Sequence, residues 1–266
     1  MKERKGELMD KLSIKRFFAF TLAETLIVMG IIGVVAALTI PNLNSSTADK
    51  EKVAKLKKVY SNLEDAVGRS EAVYGPISDW EMDWNSNDSA TKVAERLGDF
   101  LKVSKTCGLT ANSACMPTSV KNLAGSNDNV AATGNTTWTY KYILADGTGL
   151  GIKAMSGVIV LTVDLDGPTK GSSTLGKDMF SFYILGDLPT YTVSTNAPSE
   201  RRWRLLTDAT VNGLTSVTNL TSYFKDGGNL ATWVIQNDNM DYLKATEGKC
   251  KNNTSRVLSW TNTSCK

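Results

Sequence analysis

Residues Phe17–Leu43, FFAFTLAETLIVMGIIGVVAALTIPNL, constrain this chain more than any other stretch. From Thr25 to Leu43 no charged side chain occurs. As a helix those roughly 19 residues extend about 28 Å, close to the thickness of a bilayer core. One carboxylate, Glu24, stands at the start of the apolar segment, directly after Phe20-Thr21-Leu22-Ala23. A carboxylate in such surroundings is costly unless a partner neutralises it. Lys15 and Arg16 lie just upstream. The run exceeds the roughly 7–15 apolar residues of a secretory signal, so an ordinary signal peptide fits it badly.

These residues resemble the N-terminal signature of type IV prepilins and type II secretion pseudopilins. In that family a basic leader ends in a small residue, then Phe-Thr-Leu follows, with Glu at the fifth position after the cut. The resemblance places the cut between Ala19 and Phe20 and makes Glu24 that fifth residue. Family members carry Gly before the cut; Ala19 departs from this, which implies slower processing. Pro41 falls where such proteins carry a helix-kinking proline.

The resemblance covers about a tenth of the chain and implies a definite organisation. Residues 1–19 form a leader removed by prepilin peptidase, and Phe20 is N-methylated. Residues 20–75 form a long helix with a transmembrane first half, and residues 76–266 a globular α+β head. The implied fold class is a pilin-like α+β architecture, the long N-terminal helix packed on an antiparallel β-sheet. The implied location is a single pass through the inner membrane, N-terminus cytoplasmic and head extracytoplasmic, followed by entry into a pilus or pseudopilus. The implied partners are other pilin or pseudopilin subunits, the peptidase, the inner-membrane assembly platform and membrane lipid. Once the leader is cut, the Phe20 α-amino group, with a reference pKa of about 8, becomes a partner for Glu24 of a neighbouring subunit. In low dielectric such a pair satisfies two charges that are expensive alone. The competing reading is a stably anchored extracytoplasmic binding protein, with calcium as a candidate ligand, that never assembles.

Charge placement agrees with that orientation. The first 19 residues hold six Lys/Arg against three Asp/Glu, a surplus equal to the whole chain's net charge of +3. The rest carries 24 of each sign. Positive residues therefore flank the apolar run on its N-terminal side, where the positive-inside rule puts the cytoplasm. A neutral remainder gives nucleic-acid binding no electrostatic support. The chain has no histidine, which removes Ser-His and Cys-His catalytic arrangements and the commonest zinc sites. An enzyme is not expected.

Past Ala48 the pattern changes. Val53, Leu56, Val59, Tyr60, Leu63, Val67 and Tyr74 recur at helical spacing with charges between them, predicting an amphipathic helix. Its lysine-rich start (Lys50, Lys52, Lys55, Lys57, Lys58) reads as a solvated face rather than a headgroup site. Gly75-Pro76 stops it. A second helix is expected at SATKVAERLGDFLKV, with Ser89 as N-cap. Strands are expected over Trp138–Leu144, Leu150–Met155, Val158–Leu165 and Phe180–Leu185, with an edge strand at Tyr191–Val193. The nearly continuous apolar run VIVLTVDL suits a central strand. Residues 194–229 carry no usable pattern, and a short helix is expected from Leu230 to Asn237. Trp80, Trp84 and Trp138 read as core rather than as a carbohydrate-binding surface.

Cys107, Cys115, Cys250 and Cys265 lie on the outward side of the anchor, and their spacing is not that of a metal site. Two disulfides are the economical interpretation in an oxidising compartment. Of three possible connectivities, the local one (107–115 with 250–265) closes the shortest loops and is the expected one. Asp164-Leu165-Asp166-Gly167 begins like a calcium loop, with Asp178 following. The full pattern fails, because Pro168 holds the third oxygen position and no Glu closes the loop. Secretion pseudopilins related to the major subunit bind calcium near their C-terminal loops, so the resemblance makes calcium on Asp164, Asp166 and Asp178 a candidate. A solvent-facing strand–turn–strand connection is the plainer reading, and no other cofactor is expected.

Overall fold

The computed structural model describes residues 21–83, 86–110, 114–117, 119–128, 139–155, 157–168, 173–186, 203–207 and 220–266, with the backbone alone for 39–46 and 155. Ala19, Phe20, Trp84, Trp138 and the edge strand expected at Tyr191–Val193 lie outside this set. The chain divides into two compact units, 1–47 and 48–266.

Helix α1 (Leu22–Tyr74) contributes to both units. It is unbroken through Gly30, Gly33 and Pro41. In the first unit its large apolar residues, among them Leu26, Ile27, Met29, Ile31, Ile32 and Leu38, are exposed. Among the described residues, no helix is long and apolar enough to cross a membrane; described side chains of the apolar run end at Leu38.

In the second unit the periodic stripe is buried as its spacing dictates. Val53, Leu56, Val59, Leu63, Ala66 and Val67 are all less than a tenth exposed. Tyr60 packs its ring against Phe182 at 5.5 Å. Tyr74 departs from the stripe and is exposed, its hydroxyl donating to Asp99. The helix ends where Gly75 adopts φ +80, the left-handed conformation that glycine takes without steric cost.

Helix α2 (Asn87–Gly98) follows a 3₁₀ turn, Ile77–Asp79. Its N-cap is Ser86, whose hydroxyl accepts the Ser89 N–H. Ser89, expected as the cap, lies inside the helix; it is buried and donates to the Asp83 carbonyl. Two serines three apart each satisfy the cap rule, and the start of the helix selects the first.

The main sheet has six strands: β1 (Val103–Gly108), β4 (Thr139–Leu144), β5 (Gly149–Met155), β6 (Val158–Asp164), β8 (Met179–Leu185) and β9 (Leu205–Leu206), neighbours in that order. Every pairing is antiparallel. Registers such as Leu150↔Val163, Leu161↔Phe182 and Ile159↔Ile184 stack apolar residues on one face, because alternate residues of a strand point the same way. That face, α1 and α2 share one core, with Trp80 and Leu97 in it. The β6 run sits between β5 and β8, the central position its composition predicted.

On the other face, β2 (Val120–Lys121), β3 (Asn127–Asp128) and β7 (Ser173–Thr174) form a small sheet, and Met116, Val120 and Met179 cluster together. The C-terminal part adds α3 (Thr221–Asp226), α4 (Ala231–Asn237), a 3₁₀ turn at Asp241–Lys244 and a hairpin, β10 (Ala245–Thr246) with β11 (Lys249–Cys250). Phe224, Trp233 and Tyr242 pack ring against ring there. The sheet thus exceeds the four strands legible in sequence, since β1 and β9 lack strong alternation.

Candidate functional site

Three groups of expected site residues can be followed in the structure: the N-terminal end of α1, the four cysteines, and the aspartates after β6.

At the helix start, Thr21 and Glu24 satisfy each other. The Thr21 N–H and hydroxyl donate to Glu24 Oε2 at 2.9 and 2.8 Å, and the Glu24 N–H donates to Thr21 Oγ1 at 3.2 Å. This is a capping box, in which the first residue and the one three later pair reciprocally with the orphan helix donors. The spacing Thr-x-x-Glu was present in the sequence as a helix start. Glu24 is exposed, as are Leu26, Ile27 and Val28 beside it. Pro41 lies on the α1 backbone.

The cysteines pair locally, Cys107 with Cys115 and Cys250 with Cys265, at Cα separations of 6.2 and 5.5 Å. Cys115, Cys250 and Cys265 are buried. The second disulfide closes against Asp241, whose Oδ2 accepts the Cys265 N–H at 3.0 Å and the Ser264 hydroxyl at 2.7 Å. Lys244 reaches Oδ1 at 2.6 Å. Burial alone would raise the Asp241 carboxyl; the bonds from Lys244, Ser264 and Cys265 take it below its ordinary value. Asn252 Nδ2 and Arg256 donate to the carbonyls of Cys265 and Lys266 respectively. The polar C-terminal segment is therefore fastened at several points.

Asp164 ends β6, Asp166 follows in the turn, and Asp178 precedes β8. Asp164 is fully buried; its Oδ2 accepts from the Ser173 hydroxyl at 3.0 Å, and its Oδ1 has no hydrogen-bond partner. Burial pushes its carboxyl up to about 6, opposed by the Ser173 bond and assisted by the charges of Asp178 and Asp166. The other two aspartates face helix α1: Lys52 Nζ lies 3.0 Å from Asp166 Oδ2 and also contacts Asp178 Oδ1. Lys55 donates to the carbonyls of Leu165 and Asp146.

This corner is not the solvent-facing connection read from sequence, because Asp164 and Asp178 are both buried. Nor is the lysine-rich helix start a plain solvated face. Lys52, Lys55 and Lys57 all reach the head, the last through Asp238. No sequence rule pairs positions more than a hundred residues apart; folding brings them together.

No family model, no curated protein and no solved structure matches the chain.

Trp80 is core, as expected: 1% exposed, its indole N–H donating to the Gly75 carbonyl at 2.9 Å. The Arg96 guanidinium stacks on its ring at 4.8 Å. Among the described residues, no group of three His, Cys, Asp or Glu is placed to hold a metal ion. Lys52, Asp166 and Asp178 join α1 to the connection between β6 and β8 through charge.

Proposed function

We propose that this chain is a prepilin-like subunit, held in the inner membrane by the first half of α1, cut between Ala19 and Phe20, and assembled through that helix. The destination is a type IV pilus or a type II secretion pseudopilus. The observation that carries the reading is the acidic residue Glu24 at the head of a run of exposed apolar side chains. Among the described residues these apolar side chains stay exposed, and such a face is covered by lipid or by other copies of the helix.

The head supports the same reading at the level of architecture. The second half of α1 buries its stripe on an antiparallel sheet, the layout that the resemblance implies. In assembly, Glu24 of one subunit pairs with the Phe20 amine of its neighbour, and a subunit out of register leaves the carboxylate unpaired. The capping box supplies the same carboxylate with a partner before assembly, so one residue serves the helix start in the monomer and the docking step in the polymer.

The deciding experiment is mass spectrometry of the mature N-terminus. Methylated Phe20 as first residue is expected. Intact Met1, or a different terminus, refutes processing and favours the anchored, non-assembling alternative. Ala19→Gly, which restores the family's usual residue before the cut, is expected to speed cleavage.

A further inference from the structure

We propose that the carboxylates between β6 and β8 are closed by a cation that the chain itself carries, the Lys52 ammonium, in place of a divalent metal ion. The inference concerns the head alone and does not depend on how the chain is anchored or assembled.

Asp164 and Asp166, two apart and followed by glycine, offer the alternating hard oxygens that suit calcium. Folding gives Asp166 and the nearby Asp178 a different cation. Lys52 projects from α1 into the gap between Asp166 and Asp178, with its side chain 18% exposed and that of Asp178 10% exposed. Lys52 and Asp178 are thus largely withdrawn from water, where a charge pair is screened least, while Asp166 keeps 38% of its side chain exposed at the rim. Burial by itself would make the ammonium easier to deprotonate; the hydrogen bonds and charges of Asp178 and Asp166 reverse that and hold it above its usual range. One helical turn on, Lys55 takes the carbonyl of Leu165 between the two aspartates, together with that of Asp146. Asp166, Asp178 and the Leu165 and Asp146 carbonyls are thus each engaged by an ammonium group.

The second oxygens of these aspartates do not rescue a metal site. Asp164 Oδ1 is buried without a partner, but calcium takes about six to eight oxygens, and Asp164's second oxygen is held by Ser173. The donor set does not fit the ion. A tethered ammonium differs from a bound metal in two physical respects. Chelators cannot remove it, and it belongs to a helix. A divalent ion here would tie two turns of the head to each other, whereas Lys52 ties both of them to α1.

The test is thermal unfolding of the purified full chain in detergent micelles, with EDTA or with millimolar calcium chloride. Wild type is expected to melt at the same temperature in both, within about 1 °C, because a ligand without a site gives no mass-action stabilisation. Lys52→Met keeps the apolar stem and removes the charge. It is expected to melt roughly 5 °C lower in EDTA, and Lys52→Met/Asp178→Asn to recover part of the loss by removing one of two facing carboxylates. A wild-type melting temperature raised by calcium, with the rise abolished in Asp166→Asn, would overturn the proposal. So would a Lys52→Met protein that melts like wild type, or a double variant that recovers nothing. Should Lys52→Met fail to fold, the calcium response of the wild type decides by itself.

Discussion

Asp241 accepts the backbone N–H of Cys265 at 3.0 Å, so one buried carboxylate fixes the second half of the Cys250–Cys265 disulfide. The same group holds Ser264 and Lys244. Replacing Asp241 by Ala would strand a buried N–H and a hydroxyl, a loss expected at about 2–4 kcal/mol of head stability. Denaturant unfolding of the variant measures it. The pH dependence has a definite sign. A carboxyl held below its ordinary value of 3.8 stabilises the fold above that pH and loses the contribution as pH falls through the folded value. Wild type should therefore lose stability below about pH 4, and the Ala variant should lose less over the same range.

The two disulfides should differ in what they contribute. Closing 15 residues between Cys250 and Cys265 removes about 3 kcal/mol of unfolded-state freedom in the chain-entropy model, and closing 8 between Cys107 and Cys115 about 2.5. The C-terminal bridge also holds a segment with little regular structure. Replacing both cysteines of each pair by Ser should thus cost more at 250/265 than at 107/115, and limited proteolysis should cut first within residues 251–264 of that variant. Equal losses would assign the C-terminal segment's hold to Asp241 and Arg256 instead.

Asp164 carries the opposite pH sign. Its carboxyl rises from an ordinary 3.8 to about 6 in the fold. The neutral form is the one the folded head prefers, so its contribution is complete below pH 3.8 and lost as pH rises through about 6. Asp164→Asn copies the neutral form and keeps the neighbourhood of Ser173. It should raise stability above pH 6 by an amount on the order of 2 kcal/mol and flatten the slope between about pH 4 and 6. A variant that is less stable than wild type at pH 7.5 would show that the charged form is wanted.

Gly149 is a position where no side chain fits. A Cβ there would lie 2.6 Å from the Cys115 carbonyl oxygen and 3.1 Å from Met116 Sδ. The loop after the Cys107–Cys115 bridge rests on the start of β5 because glycine leaves that gap. Gly149→Ala should destabilise by about 1–3 kcal/mol, as overpacking does. Gly68→Ala is the control: a Cβ there meets nothing within 4 Å, and the helix interior should gain up to about 1 kcal/mol. Thermal unfolding of the two variants is expected to shift in opposite directions.

Two substitutions separate the roles of Glu24. Glu24→Gln keeps an oxygen able to accept the Thr21 N–H and so preserves the capping box, but removes the charge. Glu24→Ala removes both. If assembly depends on pairing with the Phe20 amine, both variants should accumulate in the membrane without forming filaments. Normal filaments from Glu24→Gln would leave the helix cap as the residue's only role.

Local rules determined what was legible in this sequence. The amphipathic half of α1 follows from spacing at a period of 3.6, its stop at Gly75 from a glycine–proline pair, and the central strand β6 from a continuous apolar run. Short loop closure anticipated both disulfides. The Thr21–Glu24 box was equally local, its signal lying in plain view as Thr-x-x-Glu. Tertiary structure alone decided the rest. It recruited β1 and β9 as strands through pairing with stronger neighbours rather than through their own composition. It turned Lys52 from a residue on a charged helix face into the partner of Asp166 and Asp178. It buried Asp164 in a connection that read as exposed. Periodicity reports which side of an element is apolar; a contact between charges more than a hundred residues apart depends on where the chain places both, and that exists only once the core has formed.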